Sequence, residues 1–232
     1  MKSTENSESD CNETSFSTRI ITSKLSKPDA YGSIGLPIYR SAAFEFESAE
    51  EIETAFKFGA DAYTYSRITN PTVNSFEEKM KQASGAESVM ALASGMAAIS
   101  NTFITIARAG ANIVASPHLF GNTFSFLKFT LGEFGVEIRF VDENTCAFFA
   151  ELITNPHLEI ADFQAISQIL RRKGVPMIVD STIVPWCSFD ARKAGVDVEV
   201  ISTTKYISGG ATSVGGAILD YGTHSWENNK KL

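Results

Sequence analysis

The chain has 232 residues, 44% hydrophobic and 20% charged, the composition of an ordinary globular protein with one sizeable core. A net charge of −7 without any basic cluster argues against a nucleic-acid partner, because phosphate backbones call for a basic face. No apolar run approaches the roughly 20 residues that span a bilayer, so no membrane partner is expected.

The opening MKSTENSESDCNETS is polar and acidic and reads as disordered. It lacks the apolar centre of a signal peptide and the basic amphipathicity of a transit peptide. Residues up to about Tyr39 read as an extended arm punctuated by Pro28, Gly32, Gly35 and Pro37, of the kind that gains order on another subunit. A short helix is expected over Glu50–Phe58, ended by Gly59. Pro71–Gln82 opens on an Asn-Pro-Thr start, with proline in the first turn, and reads as a helix ended by Gly85.

From there the chain alternates. Strands are expected over Ala86–Ala93, Ala111–Ser116, Val136–Val141, Ala147–Leu152, Pro176–Asp180 and Val198–Ser202. Helices are expected over Met96–Arg108, Thr123–Phe134 and Phe163–Lys173. A further apolar run covers Gly216–Leu219. The strands are continuously apolar, as in a parallel sheet covered on both faces, and the repeated strand–helix units predict an open, mostly parallel α/β sheet. Cys11, Cys146 and Cys187, like His118, His157 and His224, are too scattered for a disulfide framework or a metal site. A reduced, cytoplasmic protein without a metal is expected.

Ligands of such sheets bind beyond the carboxyl ends of the strands. That rule selects Ser94-Gly95-Met96, Ser116–Gly121, Asn155, Asp180 and Ser202–Lys205. Ser94-Gly95-Met96 opens a helix whose free amides suit an anion; the alternative is a plain tight turn. The patterns GxGxxG and GxxxxGK[ST] are both missing, so a single phosphate is the better guess. Asp180 ends a buried strand, where a carboxylate is costly unless paired; it is either a cap or the partner of a buried cation. Lys205 lies between Ser202, Thr204 and the pair Gly209-Gly210, which would let backbone crowd close. Taken alone it reads as a surface residue, but in a mostly apolar pocket it would be a usable amine. Tyr65 and Arg67, lying before the sheet begins, suit a phosphate; the alternative is a loop salt bridge. An anion site, a carboxylate and a lysine together are what pyridoxal phosphate requires.

In this order, YSRITNPT, ALASGMAAI, PHLFGNTFSFL, GEFGVEIRFVD, PMIVDST and STTKYISGG resemble the Cys/Met-metabolism (trans-sulfuration) family of pyridoxal-phosphate enzymes. The resemblance covers essentially Ser17 to Asp220. It implies the fold-type-I PLP-dependent transferase fold and pyridoxal 5'-phosphate as cofactor. It further implies Lys205 as the Schiff-base lysine and Asp180 as the partner of the ring nitrogen. Ser94, Gly95, Met96, Ser202 and Thr204 would hold the phosphate, Asn155 would lie near the ring hydroxyl, and Phe120 would stack on the ring. Tyr65 and Arg67 would complete the phosphate site of a neighbouring subunit in a homotetramer built as a dimer of dimers.

Three departures stand out. Phe120 stands where the family usually has tyrosine. Histidines are common in the family where Ile201 stands and after the glycine where Gly210 sits. The chain also ends at Leu232, where relatives continue into a C-terminal domain carrying the arginine for the substrate carboxylate. The expected organisation is an arm and short helix over 1–60, a cofactor-binding domain over 61–222 and a cut loop over 223–232, with the small domain absent. Residues 210–216 and the polar tail with Trp226 favour a sulfhydrylase, which makes homocysteine from O-acetyl- or O-succinylhomoserine and sulfide in methionine and cysteine biosynthesis. The alternatives are a methionine or cystathionine γ-lyase and a catalytically incomplete cofactor-binding fragment.

Overall fold

The computed structural model describes residues 15–23, 29–57, 62–138, 145–210 and 212–227; the opening residues expected to be disordered, with Cys11, lie outside them. The chain divides into two compact units, Met1–Ala83 and Ser84–Leu232.

The first unit departs from an uninterrupted arm. Ser15 accepts a hydrogen bond from Thr18 N at 3.3 Å and so caps a short helix, α1 (Phe16–Thr22); a serine side chain at this position satisfies a donor the helix cannot. Helix α2 is Ala49–Lys57 and α3 is Pro71–Ser84. Between them the chain folds back, with a bridge joining Ala43 to Tyr65. Asn70 locks this fold. Its Nδ2 donates to Tyr39 O at 3.0 Å, and its Oδ1 accepts from Thr72 N at 2.9 Å to start α3.

The second unit holds a seven-stranded sheet, β1 (Ser88–Leu92), β2 (Asn112–Ala115), β3 (Glu137–Ile138), β4 (Thr145–Glu151), β5 (Met177–Asp180), β6 (Val198–Ile201) and β7 (Gly216–Asp220), in the order β1-β7-β6-β5-β4-β2-β3. From β6 to β3 every ladder is parallel. The run at 216–219 forms β7, which is antiparallel to both β6 and β1. Among the described residues only turns and bends connect β6 to β7, and without a crossover element the strand returns antiparallel. The architecture is therefore α/β with a mostly parallel sheet. β4, β5 and β6 are buried at almost every position, as continuous apolar strands require.

Helix α4 (Gly95–Ile106) packs with the sheet through Ile99 and Phe103, and the Phe103 ring meets Phe149 edge-on at 5.2 Å. The single helix expected over 123–134 is instead α5 (Gly121–Ser125), a π-helical turn (Phe126–Thr130) and α6 (Leu131–Glu133). Its buried residues Thr123, Leu127 and Leu131 recur every four positions and share one face. Helix α7 (Phe163–Lys173) matches its expected span, capped by Asp162 and ended by Gly174 at φ +63°.

Of the strand expected over 136–141, residues 139–141 lie outside the described residues. The tail is less loose than expected. Trp226 packs against the core and its Nε1 donates to Asp220 Oδ2 at 2.9 Å. Among the described residues no helix is long and apolar enough to cross a membrane, and no group of His, Cys, Asp or Glu could hold a metal ion.

Candidate active site

A cleft of about 300 Å3 opens at the carboxyl ends of β4, β5 and β6. The apolar strands drive this placement: they bury in the sheet, and the first polar residue after each is left at its mouth. Nine of the residues singled out from sequence line this one cleft: Ser94, Gly95, Met96, Phe120, Asn155, Asp180, Ser202, Thr204 and Lys205.

Ser94 ends the turn after β1, and its hydroxyl accepts from Ala97 N at 3.0 Å, capping α4. The next two amides, of Gly95 and Met96, belong to the first turn and have no partner within the helix. A methyl group on Gly95 would lie 2.5 Å from Ser202 Cβ. Glycine is therefore what lets the start of α4 touch the end of β6. Gly216 serves the same approach from β7, where a methyl would lie 2.1 Å from Ser94 O. Among the described residues the Ser202 hydroxyl has no hydrogen-bond partner, whereas its amide donates to Thr182 Oγ1 at 2.8 Å. The Thr204 hydroxyl is committed to Gly215, donating to its carbonyl at 3.2 Å and accepting from its amide at 3.0 Å.

Lys205 stands on the run of turns after β6, where Ser208 N bonds Thr203 O at 2.9 Å. It lines the cleft and is exposed, because a turn, unlike a strand, carries it outward. Among the described residues it makes no ion pair. Gly209 and Gly210 have open space around them: methyls there would meet no protein atom within 4 Å. They are needed for their backbone, with φ of +73° and +120°, a region other residues rarely adopt.

Asp180 is partly buried, and its Oδ1 accepts from Thr182 N at 2.9 Å. Burial pushes its carboxyl up to about 6; the hydrogen bonds from Thr182 oppose that, and the charge of Glu151 adds to it. Glu151 lies beside it in register on β4 and is only 7% exposed. Burial raises its carboxyl too, against bonds from the Phe120 and Asn155 amides. Sequence reading missed Glu151. The signal was present, since AFFAE ends an apolar run on an acid just as PMIVD does.

Tyr65 and Arg67 belong to the first unit. They share one exposed turn, closed by Ile68 N donating to Tyr65 O at 2.8 Å, with the guanidinium carbon 5.6 Å from the tyrosine ring centre.

An O-acetyl-L-homoserine sulfhydrylase of Corynebacterium glutamicum is 35% identical over 228 residues, covering 93% of this chain and 52% of that protein. A homocysteine/cysteine synthase of Saccharomyces cerevisiae is 34% identical over 213 residues, covering 86% of this chain and 48% of its own length. The chain thus spans about half the length of these relatives. Among solved structures, a candidate O-acetylhomoserine (thiol)-lyase of Campylobacter jejuni, holding N'-pyridoxyl-lysine-5'-monophosphate, superposes with a TM-score of 0.84 at 32% identity, over 90% of this chain and 54% of that one. The sequence profile of the Cys/Met metabolism PLP-dependent enzymes matches residues 17–232, and the chain belongs to that family.

Proposed function

We propose that the whole protein carries out a pyridoxal-phosphate-dependent γ-replacement, making homocysteine from O-acetyl- or O-succinylhomoserine and sulfide. The observation that carries the reading is the convergence, at one set of strand ends, of a lysine amine, a buried-strand carboxylate and a glycine-opened helix start. The donor set fits the cofactor. The amides of Gly95 and Met96, Ser94 and the free hydroxyl of Ser202 would hold its phosphate. Thr204 would join them only by giving up Gly215. Asp180 would face the ring nitrogen, Asn155 the ring hydroxyl and Phe120 the ring itself.

Bound there, pyridoxal phosphate supplies an electron sink for bonds at the α-carbon of an amino acid. Lys205 would be the amine that holds it, and its Nζ would take up the substrate's α-proton. Asp180 would place a carboxylate beside the ring nitrogen and favour its protonated form. Phe120 offers a face but no proton. That suits an acyloxy leaving group, which departs unaided, better than a thiolate. Tyr65 and Arg67 would complete the phosphate site of a neighbouring subunit in a homotetramer, and the exposed turn they share supports this. The exposed free thiol of Cys187 supports a reducing, cytoplasmic setting.

The test is an absorption spectrum of the purified chain with added cofactor, before and after borohydride, repeated on Lys205→Ala. A yellow protein whose cofactor becomes fixed at Lys205 is expected; a colourless chain that takes up none overturns the reading. With the full-length protein, homocysteine should form from an acylated homoserine and sulfide. Ammonia and 2-oxobutanoate released from methionine or cystathionine without sulfide would replace this reading with a γ-lyase.

A further inference from the structure

Glu151 ends β4, deep in the cleft floor. Its Oε1 accepts from Phe120 N at 2.5 Å and its Oε2 from Asn155 N at 3.1 Å. Phe120 opens α5, 31 residues upstream, and Asn155 lies in the loop after β4. No covalent neighbourhood links these two segments, yet one carboxylate holds both. A carboxylate is well suited to bridging them, because it accepts with both oxygens and has no hydrogen to turn toward either amide. No lysine, arginine or histidine pairs with it among the described residues. On β5 beside it stands Asp180, so two acids share the floor of the cleft.

We infer that Glu151 is a positioning residue of this site: it ties the Phe120 and Asn155 walls together and sets the negative charge next to Asp180. Its consequence for cofactor binding rests on the proposed function, whereas the tether itself does not. Asp180 is faced by Glu151 from β4, by Glu199 from β6 and by the Thr182 hydrogen bonds after β5, and Lys205 lines the same cleft. Glu151 raises the protonation of Asp180, so removing its charge must move Asp180 the other way.

The experiment compares the chain with Glu151→Gln, which keeps the size but can accept with one oxygen only. Amide hydrogen exchange without cofactor should lose protection at Phe120 or Asn155. Spectroscopic titration with pyridoxal phosphate at neutral pH should weaken by roughly tenfold, the loss of one hydrogen bond to a charged acceptor. The acidic limit of cofactor binding should also shift to lower pH, which a merely space-filling side chain would not cause. Unchanged protection at both amides, or an unmoved acidic limit, overturns the inference.

Should Glu151→Gln not fold, Phe120→Pro against Phe120→Ala decides the matter. Phe120 has φ −53°, close to that of proline, so the pair differs chiefly in the donor Glu151 accepts. The proline variant should bind the cofactor roughly tenfold more weakly; equal affinities overturn the tether. An unsubstituted chain that takes up no cofactor overturns the proposed function, while the exchange measurement still judges Glu151.

Discussion

Glu199 is the most buried acid of the sheet, 1% exposed on β6 between Val198 and Val200. The Ser181 hydroxyl donates to its Oε1, and the Tyr221 hydroxyl donates to its Oε2 at 2.6 Å. Burial pushes its carboxyl from 4.5 up to about 7; the two hydroxyls oppose this, and the charges of Asp180 and Asp190 add to it. The folded state therefore binds this proton more tightly than the unfolded chain. Its contribution is fully favourable below about pH 4.5 and is lost as pH rises to about 7. The interval corresponds to a ceiling of about 3 kcal/mol. Glu199→Gln removes the titration while keeping the shape. Urea unfolding of both chains at pH 5, 6, 7 and 8 should give similar stabilities at pH 5 and a variant about 1–3 kcal/mol more stable at pH 8. Asp180 titrates in the same window in both chains, and its coupling to Glu199 forms part of the difference between them. A difference that stays flat from pH 5 to 8 would refute the burial argument.

Gly95→Ala places a methyl 2.5 Å from Ser202 Cβ; it should cost about 1–3 kcal/mol of stability by overpacking and abolish cofactor uptake, read by denaturation and absorbance. Phe103→Ala empties a fully buried site against Phe149 and should cost about 3–5 kcal/mol, with secondary structure retained in circular dichroism below the lowered melting temperature. Cofactor affinity should fall as pH drops through about 6, because a protonated Asp180 no longer attracts a cation; titrations from pH 5 to 8 should give that limb in the native chain, and a weak, nearly level affinity in Asp180→Asn.

Much of the site was legible because each of its chemical groups terminates an apolar run. Asp180 after Met177-Ile178-Val179 and Lys205 shortly after Val198–Ile201 stand out against strands that must be buried on both faces. Glu151 carries the same mark but lies one residue inside the strand expected over 147–152, so its role as the end of β4 was hidden by a boundary error. The glycines after Lys205 were recognised for the room they leave, and their positive φ was not foreseen. Whether a glycine serves contact or a positive φ depends on what lies opposite, which a one-dimensional pattern does not contain.

The alternation of apolar strands and amphipathic helices, read from sequence alone, determined an α/β sheet, its mostly parallel character and the strand ends where chemistry gathers, because burial and hydrogen bonding act over a few neighbouring residues. Tertiary structure alone decided the antiparallel insertion of β7 between β1 and β6, the touch of Gly95 on Ser202, the π-helical turn and the carboxylate joining Phe120 to Asn155. Each depends on which distant segments the sheet order makes neighbours, and local periodicity carries no record of that order.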